Sequence, residues 1–206
     1  MLESFEIIRK YKVMAVIRTG QEEEAFDIAH ALLEGGIKII EISLLTPNGS
    51  KVISKLSEED VFVGAGTVMN DEMALQAVES GARFIVSPYI NEQVIRIGLE
   101  YNVLVSAGCV TPNEIISARD LEVHLIKIFP AHGFGGVDYL KSLMDIFPGI
   151  SFMPTGGVNK GNLSDYLKIG VTAVGMSSSL IPKEYLNHKN YEKLTQNAKE
   201  ICRMIQ

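Results

Sequence analysis

The chain has 206 residues, 47% of them hydrophobic and 21% charged, with 19 Lys and Arg against 25 Asp and Glu for a net charge of −6. That length and balance suit one globular domain with a real core and exclude a disordered chain. The acidic balance and the lack of any Lys/Arg cluster argue against a nucleic-acid or anionic-membrane partner.

Residues 1–12 interleave Glu3, Glu6, Arg9, Lys10 and Lys12 with apolar side chains. A signal peptide needs an unbroken apolar stretch instead, and no run anywhere approaches the roughly 18 residues of a membrane helix. Cys109 and Cys202 make neither a disulfide framework nor a zinc site. A cytoplasmic location is expected. Runs rich in Val and Ile begin at Val13, Lys38, Val61, Arg83, Val103, Val123, Ile150 and Thr172, recurring every 20 to 27 residues. Between them lie segments with apolar residues three and four apart, as at 22–33, 71–80, 91–100, 112–119, 137–147 and 160–169. Gly35, Gly36, Gly81 and Gly170 stand where these helices should end, and Asn70, Thr111 and Asn159 where they should begin. The polar stretch KEYLNHKNYEKL after Pro182 reads as the approach to a last helix.

A strand followed by a helix, eight times over, predicts an α/β fold of parallel βα units. An open doubly wound sheet usually stops at five or six strands. The expected architecture is therefore a (β/α)8 TIM barrel of minimal size, a single domain over residues 1–206 with no room for insertions. In such a barrel the chemistry lies at the C-terminal strand ends.

Arg18 ends the first run (VMAVIRTG); its guanidinium can fork onto a carboxylate or simply escape to solvent. The second run, IKIIEISLL, buries Glu41, and the sixth, HLIKIFP, buries Lys127 between Ile126 and Ile128. A charge inside an apolar run is costly unless paired or neutral. Runs two and six face each other across an eight-stranded barrel. The pair is thus either a buried ion pair locking the barrel or a nucleophilic lysine with a proton-moving carboxylate. Thr67 closes the glycine-rich third run, VGAGTV, either at an ordinary turn or where a ligand nears the backbone. Gly156 and Gly157 (MPTGGVN) and Gly175 with the serines of VGMSSSL occupy the two loops where barrels commonly bind phosphate, although a GG pair alone can be a tight turn. Pro47, Pro88, Pro112, Pro130 and Pro154 follow predicted strands and stiffen that face. His30, His124, His132 and His188 have no ligand spacing, so no metal is expected. No dinucleotide fingerprint opens the first helix, and Cys109 has no activating His nearby and reads as a packed residue.

Taken together, AVIRT (15–19), EISLLTP (41–47), VGAGTVMN (63–70), VSP (86–88), IKIFPA (126–131), PTGGVN (154–159) and AVGMSSSL (173–180) resemble the 2-keto-3-deoxy-6-phosphogluconate (KDPG) aldolase family, some members of which cleave 4-hydroxy-2-oxoglutarate. The resemblance implies a cofactor-free, metal-independent class I aldolase on a homotrimeric barrel that takes a small 2-keto acid substrate. By motif, Lys127 matches the Schiff-base lysine and Glu41 the proton-shuttling glutamate. Thr67 resembles the threonine near the pyruvate carboxylate, Pro88 and Phe129 resemble wall residues, and Gly156, Gly157 and Ser178 fall on the phosphate motifs. Leu45 stands where some members carry Arg, with Arg18 as the candidate replacement, and Ser177 stands where Gly is common. The rival readings are a galactonate-epimer or hydroxyoxoglutarate substrate, an isomerase or synthase using Lys127 as base or charge, and a sugar-phosphate binder without turnover.

Overall fold

Branched apolar side chains in succession favour extended backbone covered on both faces, and each of the eight runs forms a parallel strand. The strands are β1 (Val13–Ile17), β2 (Ile39–Ser43), β3 (Phe62–Gly66), β4 (Phe84–Ser87), β5 (Leu104–Cys109), β6 (Leu125–Ile128), β7 (Phe152–Pro154) and β8 (Val174–Met176). The computed structural model describes residues 1–59 and 61–205. Strand order is β7-β6-β5-β4-β3-β2-β1-β8, and a bridge between Thr155 and Gly175 brings the two edges together as a barrel. The register sets Glu41 between Val16 of β1 and Gly64 of β3, and Lys127 between Gly108 of β5 and Met153 of β7.

The connecting helices are α2 (Glu22–Glu34), α3 (Gly49–Glu58), α4 (Asp71–Glu79), α5 (Glu92–Glu100), α6 (Pro112–Asp120), α7 (Gly136–Ile146), α8 (Leu163–Lys168), α9 (Lys183–Asn187) and α10 (Tyr191–Met204). Several ends follow directly from capping chemistry. Asn70 accepts from Met73 N–H at 2.9 Å to open α4, and Gly81 closes it in the left-handed region at φ 81°. Thr111 and Glu114 form a reciprocal capping box on α6, in which the Glu114 carboxylate takes the amides of Val110 and Thr111 at 2.8 and 2.7 Å. Those bonds favour the charged carboxylate and hold the Glu114 pKa below its ordinary range. Thr111→Ala should lower unfolding stability by about 1 kcal/mol in urea melts; an unchanged midpoint would mean the box contributes nothing.

Three expectations shift. Asn159 does not cap α8: its side chain accepts from Gly161 N–H at 2.8 Å in a turn, and the helix starts at Leu163 with Asn162 as N-cap. Asn and Gly close together favour that local turn over helix. The polar stretch after Pro182 is not a plain approach, because it forms α9 and then the start of α10, where Asn190 accepts from Lys193 N–H at 3.1 Å. Pro154 is the last residue of β7 rather than a residue after it.

Two apolar layers result. Outside the strands, Ile28, Leu32, Val52, Ile53, Ile115 and Leu140 pack between sheet and helices. Inside the barrel, Met14, Ile39, Phe84, Leu104, Leu125 and Met153 fill the lower half. The N-terminal segment, unassigned by sequence pattern, is a helix, α1 (Leu2–Tyr11), whose Ile8 is completely buried against that lower layer with Phe5, Ile7 and Tyr11 around it. Among the described residues the barrel is therefore plugged at the N-terminal strand ends and opens at the other.

Candidate active site

Above the apolar floor, β2 and β6 each contribute one charged side chain to the interior. Glu41 is 1% exposed and Lys127 6%. A locking ion pair does not form: Lys127 takes part in none of the ion pairs among the described residues. Glu41 Oε2 is buried without a hydrogen-bond partner among the described residues. Lys127 Nζ instead stands 4.9 Å from the centre of the Phe129 ring, a cation–π distance. Burial raises the Glu41 pKa, opposed by the positive charges of Lys127 and Arg18, so the carboxyl holds a proton more readily than an exposed glutamate. Glycine makes the room: a Cβ on Gly66 would overlap Glu41 Oε1, and one on Gly108 would overlap the Pro88 carbonyl.

All nine residues singled out from the sequence line one cavity of about 350 Å³: Arg18, Glu41, Thr67, Pro88, Lys127, Phe129, Gly156, Gly157 and Ser178. Arg18 does not simply escape to solvent; its Nη2 donates to Thr67 Oγ1 at 3.1 Å. Thr67 is held at φ 58°, a left-handed conformation uncommon outside glycine. At the other end of the cavity Gly156 and Gly157 have φ of 88° and 81°, and Gly157 lies too close to His132 to carry a side chain. The amides of Gly157, Ser177 and Ser178 make no internal hydrogen bond among the described residues. Ser179 Oγ donates to the Val158 carbonyl at 2.6 Å, and Asn197 of α10 donates to the Ser179 carbonyl at 3.1 Å, tying the two small-residue loops together. Uncommitted amides beside hydroxyls can receive an anion without a basic side chain.

Gly175 and Ser177 of the last small-residue loop line the cavity too, whereas sequence reasoning missed Val16, Thr155 and Val158 as walls. It also missed Ser43, which is buried below the mouth with Oγ 3.0 Å from Thr67 Oγ1. None of these types looks out of place at a strand end. Cys109 is packed, as expected: burial and the nearby Glu114 push its thiol pKa up to about 12, far from nucleophilic range. Leu45 is half-exposed and lines no part of the cavity. A larger cleft of about 820 Å³ opens on the outside of the barrel between α2 and α10, away from any buried titratable pair. Among the described residues no three His, Cys, Asp or Glu side chains are grouped as a metal site, and no helix is long and apolar enough to cross a membrane.

Comparisons with known proteins point one way. The family model for KDPG and KHG aldolase matches residues 5–197. A KHG/KDPG aldolase of Escherichia coli K12 is 32% identical over 191 residues, covering 91% of this chain and 89% of its own. Among solved structures, a KDPG aldolase of Legionella pneumophila with pyruvate captured as a covalent carbinolamine superposes with a TM-score of 0.88 at 30% identity, covering 96% of this chain and 97% of its own. A 2-keto-3-deoxy-6-phosphogluconate aldolase of Zymomonas mobilis with 3-phosphoglycerate has the same TM-score of 0.88 at 31% identity, covering 97% of this chain and 95% of its own.

Proposed function

The chain belongs to the KDPG and KHG aldolase family, and from that premise we propose a class I lyase that reversibly cleaves 2-keto-3-deoxy-6-phosphogluconate to pyruvate and glyceraldehyde 3-phosphate. The observation that carries the reading is the buried, unpaired lysine and carboxylate facing one cavity at the open end of the barrel. Lys127 in its unprotonated form attacks the C2 ketone, and the proton it sheds passes to the oxygen to give a carbinolamine. Protonation of that hydroxyl and loss of water leave a cationic imine, which serves as the electron sink. Glu41 accepts the C4 hydroxyl proton, the C3–C4 bond breaks, and its electrons form the enamine of pyruvate while the aldehyde departs. Reprotonation at C3 by Glu41 and attack of water on the imine free the pyruvate and restore Lys127.

Arg18 and Thr67 hold the substrate carboxylate as charged and neutral donors. Pro88 and Phe129 wall the reacting carbons, and the amides of Gly156 and Gly157 with Ser178 hold the distal phosphate. The relative from E. coli is named for both substrates, so cleavage of 4-hydroxy-2-oxoglutarate is a second reading, decided by kcat/KM on the two purified compounds. The resemblance further supports a cytoplasmic homotrimer of one-domain chains. The test is incubation with pyruvate and borohydride followed by peptide mass spectrometry. A reduced pyruvate adduct mapped to Lys127 is expected; folded protein that forms no adduct overturns the Schiff-base scheme and returns Lys127 to the role of a base or a charge.

A further inference from the structure

Ser43 lies at the end of β2 with no exposed surface, paired in register with Gly66, the residue before Thr67. Its hydroxyl oxygen accepts from the Leu45 amide at 3.3 Å and stands 3.0 Å from Thr67 Oγ1. A hydroxyl has one proton and two lone pairs, and a buried hydroxyl proton needs an acceptor. For Ser43 the acceptor within reach is Thr67 Oγ1; were Thr67 to donate instead, the Ser43 proton would be left buried and unpaired. Thr67 Oγ1 also accepts from Arg18 Nη2 at 3.1 Å. Both of its lone pairs are then engaged, and its single proton is left for the cavity that Thr67 lines.

We infer that Ser43 is a positioning residue that fixes Thr67 as a hydrogen-bond donor toward the carboxylate of the bound 2-keto acid. The inference rests on the aldolase reading and adds the residue that sets the polarity of its carboxylate end. An anion takes only donors, so a Thr67 free to rotate would present a lone pair part of the time and repel the ligand it should hold. The backbone around the pair is tied down as well. Leu44 N–H donates to the Gly66 carbonyl at 2.9 Å and Thr46 N–H to the Ser43 carbonyl at 2.9 Å, so the backbone on either side of Ser43 is tied to the end of β3 and to its own turn.

The experiment is borohydride trapping at Lys127 as a function of ketone concentration, with pyruvate and, as a ketone lacking the carboxylate, acetone. Ser43→Ala should raise the half-saturating pyruvate concentration about tenfold, the scale of a hydrogen bond to a charged group, and leave acetone trapping unchanged. Ser43→Thr should restore pyruvate affinity. Ser43→Cys, nearly isosteric and a weak donor, should fall between serine and alanine and serves if the alanine variant does not fold. In a Thr67→Ala background, Ser43→Ala should add almost nothing, because the two act as one unit. Equal effects on pyruvate and acetone, or none on pyruvate, overturn the inference. A wild-type protein that traps neither ketone overturns the aldolase reading itself.

Discussion

Lys127→Arg is expected to abolish aldol cleavage, with pyruvate release in a coupled assay falling by at least about a thousandfold, or about 4 kcal/mol of transition-state stabilisation. Arginine keeps a positive charge close to the same place but offers no lone pair for imine formation. The substitution therefore separates covalent chemistry from electrostatics. If Lys127 served only as a charge beside Glu41, a guanidinium would retain much of the activity. Retained turnover with no trapped adduct would remove the scheme. The folded state of the variant is checked by its melting curve, since a larger cation at a site 6% exposed strains the packing.

Glu41→Gln is expected to lower kcat by about 10²- to 10⁴-fold while leaving KM nearly unchanged, the signature of a lost proton carrier rather than a lost binding contact. The same substitution should make the protein more stable at neutral pH. Burial raises the Glu41 pKa, so the folded protein binds that proton more tightly than the unfolded chain does. Below the ordinary glutamate range both states are protonated and the carboxyl costs nothing. As pH rises past that range the unfolded chain ionises freely while the folded carboxyl resists, and stability is lost until the pH passes the raised folded value. Glutamine has no such titration. Melting temperatures of variant and wild type should therefore agree in acid and diverge in favour of glutamine toward neutral pH. Curves that stay parallel would show that burial does not burden the ionised form.

The eight strands and most helices are legible because branched apolar runs and capping residues act locally, within a few positions of where they are read. Elements whose reason is remote are not. Helix α1 has charges spread among its apolar residues and declares itself only through what Ile8 meets, the lower barrel layer formed by distant strands. Helix α3 opens on Gly49 after Asn48 in the left-handed region, so its start looks like a turn. The site divides the same way. Lys127 and Glu41 stand out because a charge is foreign to an apolar run. Ser43, Gly66 and Thr155 are ordinary at a strand end, and their importance lies in neighbours 24 residues away, as for Ser43 and Thr67, or in the space a missing Cβ leaves for Glu41. Arg18 lies between: its type suggests anion binding, and only the fold shows its contact with Thr67.

The plug at the bottom of the barrel has a kinetic corollary. A cavity stoppered by α1 and the lower apolar layer is a cul-de-sac, so every molecule enters and leaves by one doorway. In the proposed cleavage the aldehyde leaves with no bond to the protein, whereas the three-carbon fragment stays tethered to the lysine as its enamine. Departure is then a queue: aldehyde first, pyruvate second. In product-inhibition experiments pyruvate should compete directly with the keto acid for the free enzyme, and added aldehyde should inhibit noncompetitively by driving the tethered fragment back toward substrate.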